Sequence, residues 1–149
     1  MNTEEKARKL FRDGYNCAQA AFCVFADELG IDFETALKLS SSFGGGMGRL
    51  REVCGAVSAM FMIAGLKFGY TSNNDDVEKE KHYALIQLLA QKFEEKYGTI
   101  ICRELLGLDL KHDIPKPSKR DEKYYAERPC ETIIVSAVQI INNYLQKNK

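Results

Sequence analysis

Apolar positions recur along this chain at three- and four-residue intervals, and no segment alternates convincingly with period two. That pattern predicts an all-α fold, a compact bundle of about six helices. Ala7, Leu10 and Phe11 form a first stripe behind Thr3, which with Glu4 and Glu5 reads as an N-cap and an acidic first turn, ending near Asp13-Gly14. Asn16 caps a second helix that carries Ala20, Ala21, Val24, Phe25 and Leu29 and stops at Gly30. Asp32 caps a third, through Ala36, Leu37 and Leu39. Beyond three serines and the turn FGGGMG, residues Val57, Met60, Phe61, Met62, Ile63 and Leu66 make a segment that is apolar nearly all round. A helix with no face to spare for water belongs at the centre of a bundle.

The polar stretch TSNNDD separates that helix from a long amphipathic one, roughly Asp76 to Tyr97, with Ile86, Leu89 and Phe93 at helical spacing and Gly98 as its stop. Thr99 caps a short segment holding Cys102. From Gly107 to Arg128 the chain is polar and contains Pro115 and Pro117, longer than unstructured loops usually run. This stretch reads as a lid, or as partly helical around Asp121 to Ala126. Pro129 suits the first position of a last helix, whose stripe is Ile134, Val138, Ile141 and Leu145, widened by Ile133 and Ile140.

With 149 residues the chain is of single-domain length, and residues 1–149 show neither an internal repeat nor a composition shift. Lys plus Arg equals Asp plus Glu, so the formal net charge is zero and no global field would attract nucleic acid or an anionic membrane. The charge-free run from Val53 to Leu66 is 14 residues, short of a membrane span. The start MNTEEKARKLFRDG has no apolar core of a secretory signal, so a cytoplasmic location without membrane insertion is expected. Five cysteines in a reducing compartment argue for redox or metal chemistry rather than a disulfide framework, and none forms a C-x-x-C pair.

Four of the five, Cys17, Cys54, Cys102 and Cys130, fall in the first turn of separate expected helices, while Cys23 lies mid-helix as a buried apolar side chain. Helix N-termini favour thiolate over thiol, and thiolates are both nucleophiles and metal ligands. The four are therefore expected to meet at one mouth of the bundle, beneath the segment from Gly107 to Arg128. Arg49 and Arg51 stand beside Cys54, which makes it the expected most reactive thiol; Arg103 and Arg128 adjoin Cys102 and Cys130. Gly55 and Ala59, four apart, would let another backbone and a second cysteine approach the Cys54 sulfur. FGGGMG is no phosphate loop, since it lacks the lysine and hydroxyl residue and follows no strand. His82 and His112 read as a solvated helix residue and a loop residue.

GYNCAQA, FGGGMG with VCGAVSA, CRELLG and RPCETIIVSA together resemble the C_GCAxxG_C_C family of redox-active proteins, over nearly the whole chain. The resemblance carries Cys17, Cys54, Cys102 and Cys130 over as the family's cysteines and leaves Cys23 outside. Ala59 stands where the family motif has glycine, a methyl that would slightly widen the site. The leading function is then a thiol redox protein, a candidate oxidoreductase cycling dithiol and disulfide or passing electrons to a redox partner protein or a small thiol. The alternatives are a zinc or iron–sulfur protein using the same four thiolates, with no cofactor in the leading reading, and a helical interaction module with incidental cysteines. A homodimer is left open.

Overall fold

The computed structural model describes residues 1–149, and it is all-α. Ten helical segments follow one another: α1 (Thr3–Arg12), α2 (Cys17–Cys23), α3 (Ala26–Leu29), α4 (Phe33–Ser41), α5 (Gly44–Met47), α6 (Gly55–Phe68), α7 (Asp76–Tyr97), α8 (Cys102–Leu105), α9 (Glu122–Glu127) and α10 (Cys130–Lys147). Six of them have seven residues or more, the scale of bundle the periodicity predicts. None is long and apolar enough to cross a membrane.

Helix α6 packs most extensively on α2 and also meets α10 and α7. Val57, Ala59, Met60 and Ile63 are wholly buried there, against Phe22 of α2, Phe93 of α7 and Ile134 of α10 in one continuous apolar core. The second half of α6 departs from the expectation of complete burial: Leu66 is 49% exposed, and Phe61 and Met62 are half-buried. Its first turns, where Gly55, Ala56 and Ala59 keep the surface small, are the ones held between neighbours.

Caps place the helix starts. Asn2, rather than Thr3, caps α1: its side chain accepts the Glu5 N–H, and the Glu5 carboxylate accepts the Asn2 N–H in return. Asp32 and Asp75 cap α4 and α7, and Gly30 and Gly98 end α3 and α7 in the left-handed conformation. Ile101 and Pro129 are the caps of α8 and α10, so Cys102 and Cys130 are the first residues of their helices. Thr99 works one step further out: its hydroxyl donates to Glu104 and accepts the Ile101 N–H.

Candidate functional site

The start of α2 is fixed by a second reciprocal cap. The Asn16 side chain accepts the Gln19 N–H at 2.9 Å and the Gln19 side chain accepts the Asn16 N–H at 3.0 Å. The two amides then reach out to α4, Asn16 donating to the Ser41 carbonyl and Gln19 to the Leu37 carbonyl. Cys17, first in α2, is thereby pressed onto the start of α6. A methyl group on Gly55 would lie 2.5 Å from the Cys17 sulfur and 2.8 Å from the Phe43 carbonyl, so only glycine fits. The close approach expected of Gly55 is realised. Ala59 sits wholly in the core and does not line the site, so its methyl leaves the cavity unaltered.

Between α4 and α6 the glycine run makes a single left-handed helical turn. Gly45, Gly46, Met47, Gly48 and Arg49 all have φ between 60° and 70°, and Arg51 follows at 58°. Side-chain-bearing residues adopt this region at a cost, which explains three glycines among the first four. Gly46 is also a packing requirement: a methyl there would lie 2.5 Å from Cβ of Cys102. The turn folds Arg51 and Glu52 back onto Gly45 and Gly46, whose carbonyls accept their N–H groups.

One isolated antiparallel bridge, Val53 to Ile101, completes the frame. Cys54 N–H donates to the Ile100 carbonyl at 2.8 Å and Cys102 N–H to the Glu52 carbonyl at 2.6 Å, which locks the starts of α6 and α8 side by side. Two residues of pairing carry no periodicity, so the sequence pattern gives no sign of them.

These devices bring Cys17, Cys54, Cys102 and Cys130 to the wall of one cavity of about 300 Å³. Cys23 is not on it; its sulfur lies 3.9 Å from the Ser40 hydroxyl in the core. All five are free thiols. The segment between Gly107 and Arg128 supplies Pro115, Pro117, Ser118, Arg120, Tyr124 and Arg128 to the same cavity, and its expected helical part is α9. It is clasped at two points. Asp113 accepts from Arg49 at 2.9 Å and from Arg51 at 3.0 and 3.2 Å, and Arg120 donates to the carbonyls of Phe11 and Tyr15 at 3.1 Å each.

Of the arginines beside cysteines in sequence, Arg128 alone acts on its neighbour, Cys130; Arg49, Arg51 and Arg103 turn elsewhere. Arg49 turns to Asp113, Ile114 and Ser118, and Arg103 to Glu52 and the Arg51 carbonyl. Arg51, only 3% exposed, donates to the sulfur of Cys102 at 3.5 Å. Burial opposes its charge, yet the Cys102 sulfur and Asp113 outweigh that and raise its pKa. Cys54 therefore stands corrected as the expected most reactive thiol. It is 7% exposed, and burial, reinforced by repulsion from Cys17, raises its pKa despite the N–H groups of Val57 and Ala56. Burial also raises Cys17, against the N–H groups of Gly45, Ala18 and Gly55, and pushes Cys130 up to about 12 against Arg128 and Arg120.

The thiols sense one another. A charge on Cys17 raises Cys54 and Cys130, and a charge on Cys102 raises Cys17, Cys54 and Cys130. Zinc or an iron–sulfur cluster requires several ligands around one point, and no three His, Cys, Asp or Glu side chains are so grouped in this arrangement. Neither histidine is on the cavity: His82 packs its ring against Tyr70, and His112 lies 3.5 Å from Glu52.

The molecule is thus an all-α protein with a cavity lined by four thiols from four helix starts. The family model described as "Putative redox-active protein (C_GCAxxG_C_C)" matches residues 15–144, and the chain belongs to that family. Comparison with curated proteins and with solved structures gives no match.

Proposed function

We propose that the protein is a thiol oxidoreductase that cycles between dithiol and disulfide inside this cavity. The observation that carries the reading is the selective gathering of four cysteines, distant in sequence, around one cavity while the fifth is packed away with Ser40. A family described as redox-active agrees with it.

Cys102 is the attacking group, because its sulfur alone receives a hydrogen bond from a guanidinium. Its thiolate attacks one sulfur of a disulfide substrate RS–SR; the substrate S–S bond breaks, one RS⁻ leaves and takes up a proton, and a mixed disulfide remains on Cys102. Cys17, which lines the same cavity and whose pKa a charge on Cys102 raises, then gives up its proton and attacks the Cys102 sulfur. The second RS⁻ is expelled and protonated, leaving a Cys17–Cys102 disulfide. Two electrons have passed from the protein to two RSH. A small thiol or a partner redox protein returns them by the reverse exchange, with Cys54 and Cys130 lining the same cavity.

Reduced protein treated with one equivalent of a small disulfide should lose two alkylatable thiols, mapped by mass spectrometry to Cys17 and Cys102, with Cys23 still labelled. Cys102→Ser should lose the reaction. An undiminished loss of two thiols in that variant would refute the assignment.

A further inference from the structure

The cavity wall has an electrostatic bias that dithiol chemistry alone does not require. It carries four guanidinium groups, Arg49, Arg51, Arg120 and Arg128, and no carboxylate. Asp113, the acidic partner behind it, is spent on Arg49 and Arg51. Arg120 is held only by neutral oxygens, the carbonyls of Phe11 and Tyr15 and the Tyr125 hydroxyl. The Arg128 guanidinium has no hydrogen-bond or ion-pair partner and lies 5.4 Å from the centre of the Tyr124 ring, which Arg120 approaches at 5.0 Å. The acid next to Cys130 in sequence, Glu131, points away to Arg8 and Arg12.

A chain of zero net charge has therefore collected uncompensated positive charge in one enclosed place. Low-dielectric walls strengthen such a field and draw in ligands of opposite sign. The volume, about 300 Å³, is at the small end of ligand cavities.

Resting on the thiol redox reading, we infer that the substrate of this cavity is a small anionic disulfide or thiol, whose carboxylate or comparable group is taken by Arg128 and Arg120 while its sulfur meets the cavity cysteines. The aromatic ring of Tyr124 holds the two guanidiniums in position, and the segment from Gly107 to Arg128 delivers both of them. Specificity for charge thus belongs to that segment, and electron transfer to the helix starts.

Alkylation separates charge preference from redox competence. Rates of labelling at Cys102 and Cys130 are measured with iodoacetate and with neutral iodoacetamide, each as a ratio to the same rates in urea-unfolded protein. The anionic reagent should be favoured in the folded protein by on the order of tenfold, less at high salt. Arg128→Gln should lower that preference several-fold and Arg128→Lys should keep most of it; the preference is read as the iodoacetate-to-iodoacetamide ratio at each cysteine, so that the support Arg128 gives the Cys130 thiolate cancels. An equal preference in folded and unfolded protein, or one indifferent to Arg128→Gln, would overturn the anion site. Oxidation of the reduced protein is then compared among dithiodipropionate, hydroxyethyl disulfide and cystamine, of charge about −2, 0 and +2 at neutral pH. Fastest reaction with the dianion is expected. Equal rates would overturn the substrate class and leave the redox reading standing, whereas no oxidation by any of the three would overturn the redox reading and leave the alkylation ratios to decide the anion site.

Discussion

Two glycines of the same helix sit in opposite circumstances, and they isolate what the site demands of single residues. Gly55 has no room for a methyl because the Cys17 sulfur and the Phe43 carbonyl occupy its place, whereas Gly65 faces open space. Gly55→Ala should therefore destabilise the fold by about 1–3 kcal/mol through overpacking and shift the Cys17 sulfur. Gly65→Ala, at a helical φ with nothing to meet, should stabilise by about 0.4–1 kcal/mol by restricting the unfolded chain. Urea denaturation of both variants checks the pair. A neutral Gly55→Ala would mean that α2 and α6 can separate cheaply, and the tight seat of Cys17 would have to be abandoned. Single residues also mark where local reading ends. That Asn2 and not Thr3 begins α1 was readable: Glu5 stands three places after Asn2 and can answer it, while three places after Thr3 stands Lys6. That Arg51 serves Cys102 was not, because the partner is 51 positions away and the direction is set by a left-handed backbone.

Among the elements, capped helix starts were legible and the joints between them were not. Asn16, Asp32 and Asp75 make their caps within three residues, so the starts of α2, α4 and α7, and with α2 the place of Cys17, follow from neighbouring letters, whereas α6, α8 and α10, which begin at the other three cysteines, have no side-chain cap. The bridge between Val53 and Ile101 and the clasp on Asp113 join residues 48 and 62 positions apart, with too few contacts each to imprint a pattern. The clasp gives the segment from Gly107 to Arg128 a defined weakness. Arg51 holds the Asp113 carboxylate below the ordinary range, with help from the Ile114 N–H and Arg49. A carboxyl lowered in the folded state stabilises above its unfolded pKa and loses that contribution as pH falls through the lowered value. The segment should thus stay closed at neutral pH and open in acid. Asp113→Asn should mimic acid at pH 7, raising amide hydrogen exchange between residues 107 and 120 while α6 and α10 keep their protection. Unchanged exchange would assign closure to Arg120 and its carbonyls alone.

At the scale of the whole molecule, a Cys17–Cys102 disulfide would tie the first third of the chain to the last, across a core shared by α2, α6, α7 and α10. Closing so long a loop restricts the unfolded chain strongly, and typical disulfides of this kind contribute about 2–4 kcal/mol. Oxidised protein should accordingly unfold at higher urea than reduced protein. The same cycle fixes the redox potential, because whatever the disulfide adds to folding, folding adds to the disulfide. Every 1.4 kcal/mol of extra stability lowers the potential by about 30 mV relative to the same cysteines in the unfolded chain. The two quantities come from separate measurements, denaturation with and without reductant and equilibration against a glutathione buffer, and they must agree. An oxidised form less stable than the reduced one would have to appear with a raised potential, the mark of a dithiol built to give its disulfide away. Disagreement between the two would mean that the bond formed on oxidation is not the one made inside the native cavity, and the pairing of Cys17 with Cys102 would fall with it.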